Sequence, residues 1–281
     1  MSNLVTPEVL KARLKDLPSL PAVVAELIAS IGNDTVTSDD VATKLSKDLA
    51  LSAKTLRLAN SSFYGMSRQI ETIQEAVTIL GLRTVRNLVI AGGLTGWAKP
   101  PASVDFNFHA FWRHAIGTAL CGQALAMELD MDADMGFTAG LLHDIGQMSL
   151  TCCFPDEYMQ VLLHRRTHDC MLIDAERAVL GTDHAVIGGL IAEQWRFSPV
   201  IAEAIAHHHA PAMHHGPGLV GLAHMADALS HGLGLSGLED EYVPLTPPAI
   251  WGAMAPSSEA FTRLFAKVET QFESVCQALQ I

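Results

Sequence analysis

A histidine followed directly by an aspartate, His143-Asp144, interrupts the apolar stretch Ala139-Gly-Leu-Leu-His-Asp-Ile-Gly146. Polar and ionised groups are costly to bury alone, so both side chains need partners, and a divalent metal would satisfy both at once. Further candidate ligands occur in separate segments: His114 before the pair, and His184, the run His207-His208-His209 and Asp227 after it. Imidazole and carboxylate without cysteine suit borderline or hard metals such as Fe, Mn, Zn, Co or Ni.

Helical spacing tests whether these donors point inward. The His143-Asp144 pair is expected at the end of a buried helix. Thr182 or Asp183 caps a helix in which His184, Ile187, Gly188, Ile191 and Trp195 form one stripe, placing His184 at its buried start. Ser198-Pro199 opens the next helix, where Ile201, Ala204, Ile205 and His208 share a face and His209 lies beside it. His207 aligns with Glu203 and is expected to face solvent. Asp227 falls on the apolar stripe of Val220 and Ala223, and His114 flanks that of Phe108, Trp112, Ala115 and Ala119.

The elements that carry these residues read as helical throughout. The 281 residues are rich in Leu, Ala and Ile and poor in alternating β-branched runs, so an all-α protein is expected. Five cysteines without a CxxC pair point to a reducing cytoplasm rather than a disulfide framework. The N-terminus lacks the pattern of a signal peptide, and no uncharged run is long enough to span a bilayer. The net charge of −12 is unevenly spread: residues 1–100 hold eleven Lys and Arg against nine Asp and Glu, the remainder seven against twenty-one. The acidic second half disfavours a phosphate backbone as partner. Asp130, Asp132, Asp134 and Glu239-Asp240-Glu241 read as solvated turn residues.

Caps divide the first half into short helices. Thr6-Pro7-Glu8 starts one, Pro18 and Pro21 precede a second over about 22–31, and Thr37-Ser38-Asp39-Asp40 opens a third. Thr72-Ile-Gln-Glu75 has capping-box spacing, and Gly81 ends that helix. Gly92-Gly93 to Pro100-Pro101 reads as a loose junction, which coincides with the charge change. The expected organisation is therefore 1–100 as an N-terminal helical part, 101–232 as the metal-ligand core and 233–281 as a C-terminal extension. In the last, a helix over about 257–279 carries an apolar face of Phe261, Leu264, Phe265, Val268, Phe272 and Val275 that must be covered by this chain or a partner.

Together, Leu17-Pro-Ser-Leu-Pro21, Asp48-Leu-Ala-Leu51, Leu56-Arg-Leu-Ala-Asn-Ser-Ser62, Ile79-Leu-Gly81 and Leu-Leu-His-Asp-Ile-Gly resemble the HDOD family, a signalling branch of the HD superfamily. The resemblance runs from about Leu17 to Asp227. It implies an all-α fold, an HD-superfamily helical core preceded by an N-terminal multi-helix subdomain, and a bacterial regulatory protein with a protein partner. The ligand pattern also resembles the binuclear site of HD-GYP phosphodiesterases. That likeness implies one metal held by His114, His143, Asp144 and Asp227, with Asp144 bridging to a second held by His184, His208 and His209. Such a pair would activate water toward a phosphoester or nucleotide.

Two departures count against carrying the enzymatic activity over. Gln147 stands where those enzymes have lysine three residues after the aspartate, and the Gly-Tyr-Pro motif is absent after His209. Two classes follow: a regulatory protein with a metal-binding HD-like site, or a metal-dependent phosphohydrolase. Nucleic acid is an unlikely ligand. Lys44, Lys47, Lys54, Arg57, Arg83 and Arg86 are the only basic surface expected, and acidic residues dilute it. His109, His164, His168, His224 and His231 read as ordinary core or surface histidines, and His214-His215 as a loop pair.

Overall fold

Polar caps set the helix boundaries. Thr72 Oγ1 accepts from the Glu75 N–H at 3.1 Å, and the Glu75 carboxylate turns back to the Glu71 N–H at 2.9 Å. Asp48, Asn107, Asp132, Asp183, Ser198 and Ser257 each accept a first-turn N–H in the same manner. Gly81, at φ 85°, ends one helix and begins the next, a backbone angle that side-chain-bearing residues rarely adopt.

The computed structural model describes residues 7–14, 17–31, 37–45, 48–61, 68–99, 101–211, 218–239 and 241–281. Among these residues every regular element is a helix. The first six are α1 (Pro7–Leu14), α2 (Ala22–Ala29), α3 (Ser38–Leu45), α4 (Leu49–Ala59), α5 (Ile73–Leu80) and α6 (Leu82–Leu94). The middle of the chain forms α7 (Phe108–Glu128), α8 (Ala133–Leu142), α9 (Ile145–Cys153), α10 (Pro155–His168), α11 (Leu172–Leu180), α12 (His184–Gln194), α13 (Pro199–His207) and α14 (Leu219–Gly232). The chain ends in α15 (Pro248–Met254) and α16 (Ser258–Leu279). No helix among them is long and apolar enough to cross a membrane.

One apolar cluster runs from Leu20 to Leu279, joining α2–α6 to α7, α8, α14 and α16. A second, built on Leu150, Phe154, Tyr158, Val161, Leu180 and Ile187, lies under α9–α12 and also takes Leu10 and Leu14 of α1. Leu264, Val268, Phe272 and Val275 of α16 are buried, and the helix packs on α7 and α4, so its apolar face is covered within the chain.

Three sequence expectations are corrected. Gly92-Gly93 does not open a junction: α6 continues through both to Leu94. A Cβ on Gly93 would sit 2.3 Å from Val24 Cγ2, so Gly93 allows α2 and α6 to approach closely instead of breaking the helix. Irregular chain begins only after Thr95, and Pro100 lies outside the described residues. Asp134 is not a solvated turn residue but buried in the first turn of α8, and Arg86 is not part of a basic surface. Arg86 Nη2 donates to Asp134 Oδ2 at 2.5 Å and Asn87 Nδ2 to Oδ1 at 3.2 Å, a buried polar joint between α6 and α8. Lys47 and the His214-His215 pair lie outside the described residues.

Candidate metal centre

The turn between α8 and α9 carries the pair: His143 is the C-cap of α8 and Asp144 the N-cap of α9. Glycines let neighbouring helices approach it. A Cβ on Gly146 would meet the His184 carbonyl at 2.0 Å and Gly188 N at 2.6 Å, so α9 and α12 touch backbone to backbone. That contact puts His184, at the start of α12, against Asp144. His208 and His209 follow the end of α13, while His114 and Asp227 come from the interiors of α7 and α14.

All seven sequence-predicted residues are brought together. Asp144 Oδ1 lies 3.3 Å from His184 Nε2 and 3.5 Å from His208 Nε2, while its Oδ2 lies 3.4 Å from His143 Nε2 and 3.9 Å from His114 Nε2. Asp227 Oδ1 is 3.1 Å from His114 Nε2 and 3.6 Å from His143 Nε2. His209 Nε2 faces His184 Nε2 at 2.9 Å. His207 is exposed, as its spacing with Glu203 predicts.

Outer contacts decide which ring nitrogen points inward. Nδ1 of His143 donates to the Gly140 carbonyl at 2.7 Å, and Nδ1 of His208 to the Ile205 carbonyl at 2.8 Å. Nδ1 of His184 lies 2.6 Å from Glu176 Oε2, which also accepts the His184 backbone N–H at 2.8 Å. Tyr158 donates its hydroxyl to the other Glu176 oxygen at 2.9 Å. Each Nδ1 is thereby engaged and each Nε2 left toward the centre, the tautomer a ligating histidine needs.

The donor set fits a cation. Asp144 Oδ1, both Asp227 oxygens and His208 Nε2 are buried without a hydrogen-bond partner, since the nearby rings lie at ion-pair distance without the alignment such a bond requires. Asp144, His184, His208 and His209 form one group of donor atoms that could hold a metal, and His114, His143 and Asp144 another. The electrostatics agree. Burial opposes ionisation of Asp144, yet His143 and His184 hold it well below the usual carboxylate range. Burial opposes ionisation of Asp227 as well, yet the His114 and His231 imidazoles beside it hold it well below the usual carboxylate range. Burial also opposes protonation of His184, but Glu176 and Asp144 outweigh it and push the imidazole up to about 10. His209, crowded by burial and by His208 and His184, is pushed far down.

Sequence reasoning missed two participants. His231, read as an ordinary histidine, lies with Nε2 3.3 Å from Asp227 Oδ1, its ring 4.3 Å from that of His114, and Nδ1 3.6 Å from Glu241 Oε1. It forms a third candidate group with His114 and Asp227. Its signal was the four-residue helical spacing from Asp227. Glu241 is drawn in with it rather than solvated. Glu176, fully buried, had no signal in local periodicity, because its partner His184 lies across a turn between two helices. His224 bonds the His208 carbonyl at 2.8 Å, whereas His109 is exposed and His164 and His168 stack on each other on α10.

Comparison with known proteins gives a consistent picture. The HDOD domain family matches residues 17–211. An uncharacterized protein of Treponema pallidum is 30% identical over 204 residues, 71% of this chain and 39% of its own length, so the chain spans about two fifths of that relative. A presumed phosphohydrolase from Shewanella amazonensis is 29% identical with a TM-score of 0.77, covering 96% of this chain and 98% of its own. An HDOD domain protein of unknown function from Geobacter sulfurreducens has the same fold at 22% identity and a TM-score of 0.81, covering 96% and 97%. So does a presumed signal transduction protein from Marinobacter aquaeolei, at 21% identity and 0.78, covering all of this chain and 67% of its own.

Proposed function

This chain belongs to the HDOD family, and from that premise we propose that it is a bacterial signal-transduction protein whose HD-like core holds one or two divalent cations. The observation that carries this reading is the convergence of seven donor residues from five segments, several of them with buried atoms that lack partners. His114, His143, Asp144 and Asp227 would hold one cation. His184, His208 and His209 would hold the other, with Asp144 between the two. Fe, Mn, Zn, Co and Ni all suit such a set. A cation pair supplies activation of water and polarisation of phosphoryl oxygens. The protein's own residues do the rest: Gly140, Ile205 and Glu176 orient three imidazoles, and Tyr158 fixes Glu176.

Gln147 favours regulation over turnover. It lines the cavity beside Asp144, where it cannot act as a cationic acid or stabilise negative charge as lysine would. In this reading the N-terminal helices contact a protein partner, and the core senses or stabilises. The five cysteines, all free, fit a reducing cytoplasm. The test is metal content per chain in untagged protein, wild type against Asp144→Ala. One or two equivalents in the first and almost none in the second are expected; a metal-free wild type that also refuses anaerobic Fe or Mn would end the proposal.

A second reading, a metal-dependent phosphohydrolase, is favoured by one feature: a cavity of about 230 Å³ opens directly on Asp144, His184, His209 and Asp227. Turnover of phosphoesters or nucleotides by Mn- or Fe-loaded protein, lost in Asp144→Ala, would establish it. No turnover across a broad panel would leave the regulatory reading alone.

A further inference from the structure

The cavity over the His/Asp cluster is built partly by residues beyond the matched family span. Leu238, Glu241, Tyr242 and Pro244 line it, all from the segment after α14. This strap is tied to α10: the Tyr242 hydroxyl bonds Asp169, and the Arg165 guanidinium lies 5.9 Å from the Tyr242 ring. The cluster donors are largely buried, Arg166 is exposed, and Arg165 falls between the two. The floor is the buried donor set. The wall is apolar, with Phe106, Phe111, Leu162 and Ile173, and the Phe106 and Phe111 rings stand 5.6 Å apart. The rim carries Arg165 and Arg166.

We propose that this cavity binds a phosphate monoester carrying a single ring-bearing group of at most mononucleotide size, with its phosphoryl group on the cluster, its ring on the apolar wall and its outer polar groups at Arg165 and Arg166. The inference rests on the cation-binding reading above and adds the ligand class. Charge sets the polarity of binding: a cation-loaded floor attracts the phosphoryl dianion, and the rim guanidiniums present planar forks to oxygen acceptors. Arg166 is paired with Asp105 at 2.5 Å, but their side chains are 63% and 75% exposed, and so open a pair is easily exchanged for a ligand oxygen. Size sets the limit. The volume of about 230 Å³ lies below the roughly 300–1,000 Å³ typical of pockets for drug-sized ligands, which leaves no room to enclose two nucleotides.

The experiment is calorimetric titration of the metal-loaded full chain with inorganic phosphate, phenyl phosphate, adenosine 5′-monophosphate and a cyclic dinucleotide. The two monoesters are expected to bind at least about tenfold tighter than inorganic phosphate, the gain from covering a ring with the apolar wall. The cyclic dinucleotide is expected to bind more weakly than either. Ile173→Trp, which fills the wall, should remove the monoester advantage and leave inorganic phosphate unchanged; Arg165→Ala should weaken adenosine 5′-monophosphate more than phenyl phosphate. Equal affinity for inorganic phosphate and monoesters, or tightest binding of the cyclic dinucleotide, would overturn the assignment. Metal analysis of the same samples separates the two readings. Equal monoester affinity in metal-free and metal-loaded protein would overturn the placement of the phosphoryl group on the cluster, whereas metal-loaded protein without monoester preference would overturn the pocket assignment and leave the cation reading standing.

Discussion

The helices before residue 100 and those after it solve opposite problems with the same architecture. In α2–α6 most of the fully buried side chains are apolar, Val24, Ile28, Leu45, Leu58 and Ile90 among them; Thr55 donates its hydroxyl to the Leu51 carbonyl, and Arg86 and Asn87 meet a carboxylate. Around α7–α14 the protein buries His114, His143, His184, His208 and Asp227 beside Asp144, and leaves several of their polar atoms unmatched. Desolvating such groups without partners costs stability; among the described residues the first region confines that cost to single atoms of Ser61, Arg86 and Asn87, whereas the second concentrates it on ionisable groups at one place. In the proposed reading the contrast divides the work: the first region packs as a scaffold that presents a partner surface, and the second is completed by a bound cation.

Two glycines at helix crossings offer the sharpest way to break that contrast. At Gly146 an added Cβ meets backbone on α12, which cannot give way, whereas at Gly93 it meets the tip of Val24. Gly146→Ala is expected to separate α9 from α12 and abolish metal binding together with most of the stability. Gly93→Ala is expected to cost about 1–3 kcal/mol and leave metal content intact. Chemical denaturation with metal analysis reads both, and equal metal content in the two variants would remove the distinction between the regions.

Next in size is the joint between the regions. Asp134→Ala leaves the Arg86 guanidinium buried, with side-chain exposure of only 9%, so a loss of about 3–5 kcal/mol is expected. Because Asp134 starts the helix that ends at His143, the variant also asks whether the scaffold holds the centre in place. Unchanged metal affinity in the folded variant would show the two regions to be energetically independent.

Much of this was legible in the sequence, for a physical reason. His184, His208 and Asp227 fall on helical stripes and His114 flanks one, with a period that follows from backbone geometry, so their inward direction could be counted. Asp183, Ser198 and Thr72 announced helix starts through their own hydrogen bonds. What could not be counted was contact between elements. Gly93 signals a helix break locally and close packing globally, and only Val24, nearly seventy residues away, decides between them. Asp134 reads as a turn residue until Arg86 is placed beside it. Glu176 and Tyr158 form the outer support of His184 through a crossing that no periodicity encodes.

Glu176 gives a smaller effect that tests this outer support. Glu176→Gln keeps the shape and removes the charge that holds the His184 Nδ1 proton. Metal affinity is expected to fall about 10–100-fold by chelator competition, with little change in helicity. Wild-type affinity would mean that His184 is oriented by α12 alone.

The mildest expectation concerns pH. In metal-free protein, Glu176 and Asp144 raise His184 to about 10 against the effect of burial, and Asp144 raises His143 in the same sense. A cation needs the Nε2 lone pair, so loading at neutral pH must expel protons, and affinity should increase as pH rises from 6 to 9. Asp144 and Asp227, both lowered, stay ionised over that window and contribute nothing to the slope. Stability of the metal-free protein runs the other way. The raised His184 contributes fully below its unfolded value of about 6.5 and loses that contribution as pH climbs toward 10. Metal-loaded protein carries no such proton and should therefore gain stability over metal-free protein as pH rises. Titrations in buffers of different ionisation enthalpy measure the released protons directly. A proton count of zero, with affinity flat from pH 6 to 9, would show that the histidines do not ligate through the nitrogens that the structure directs inward.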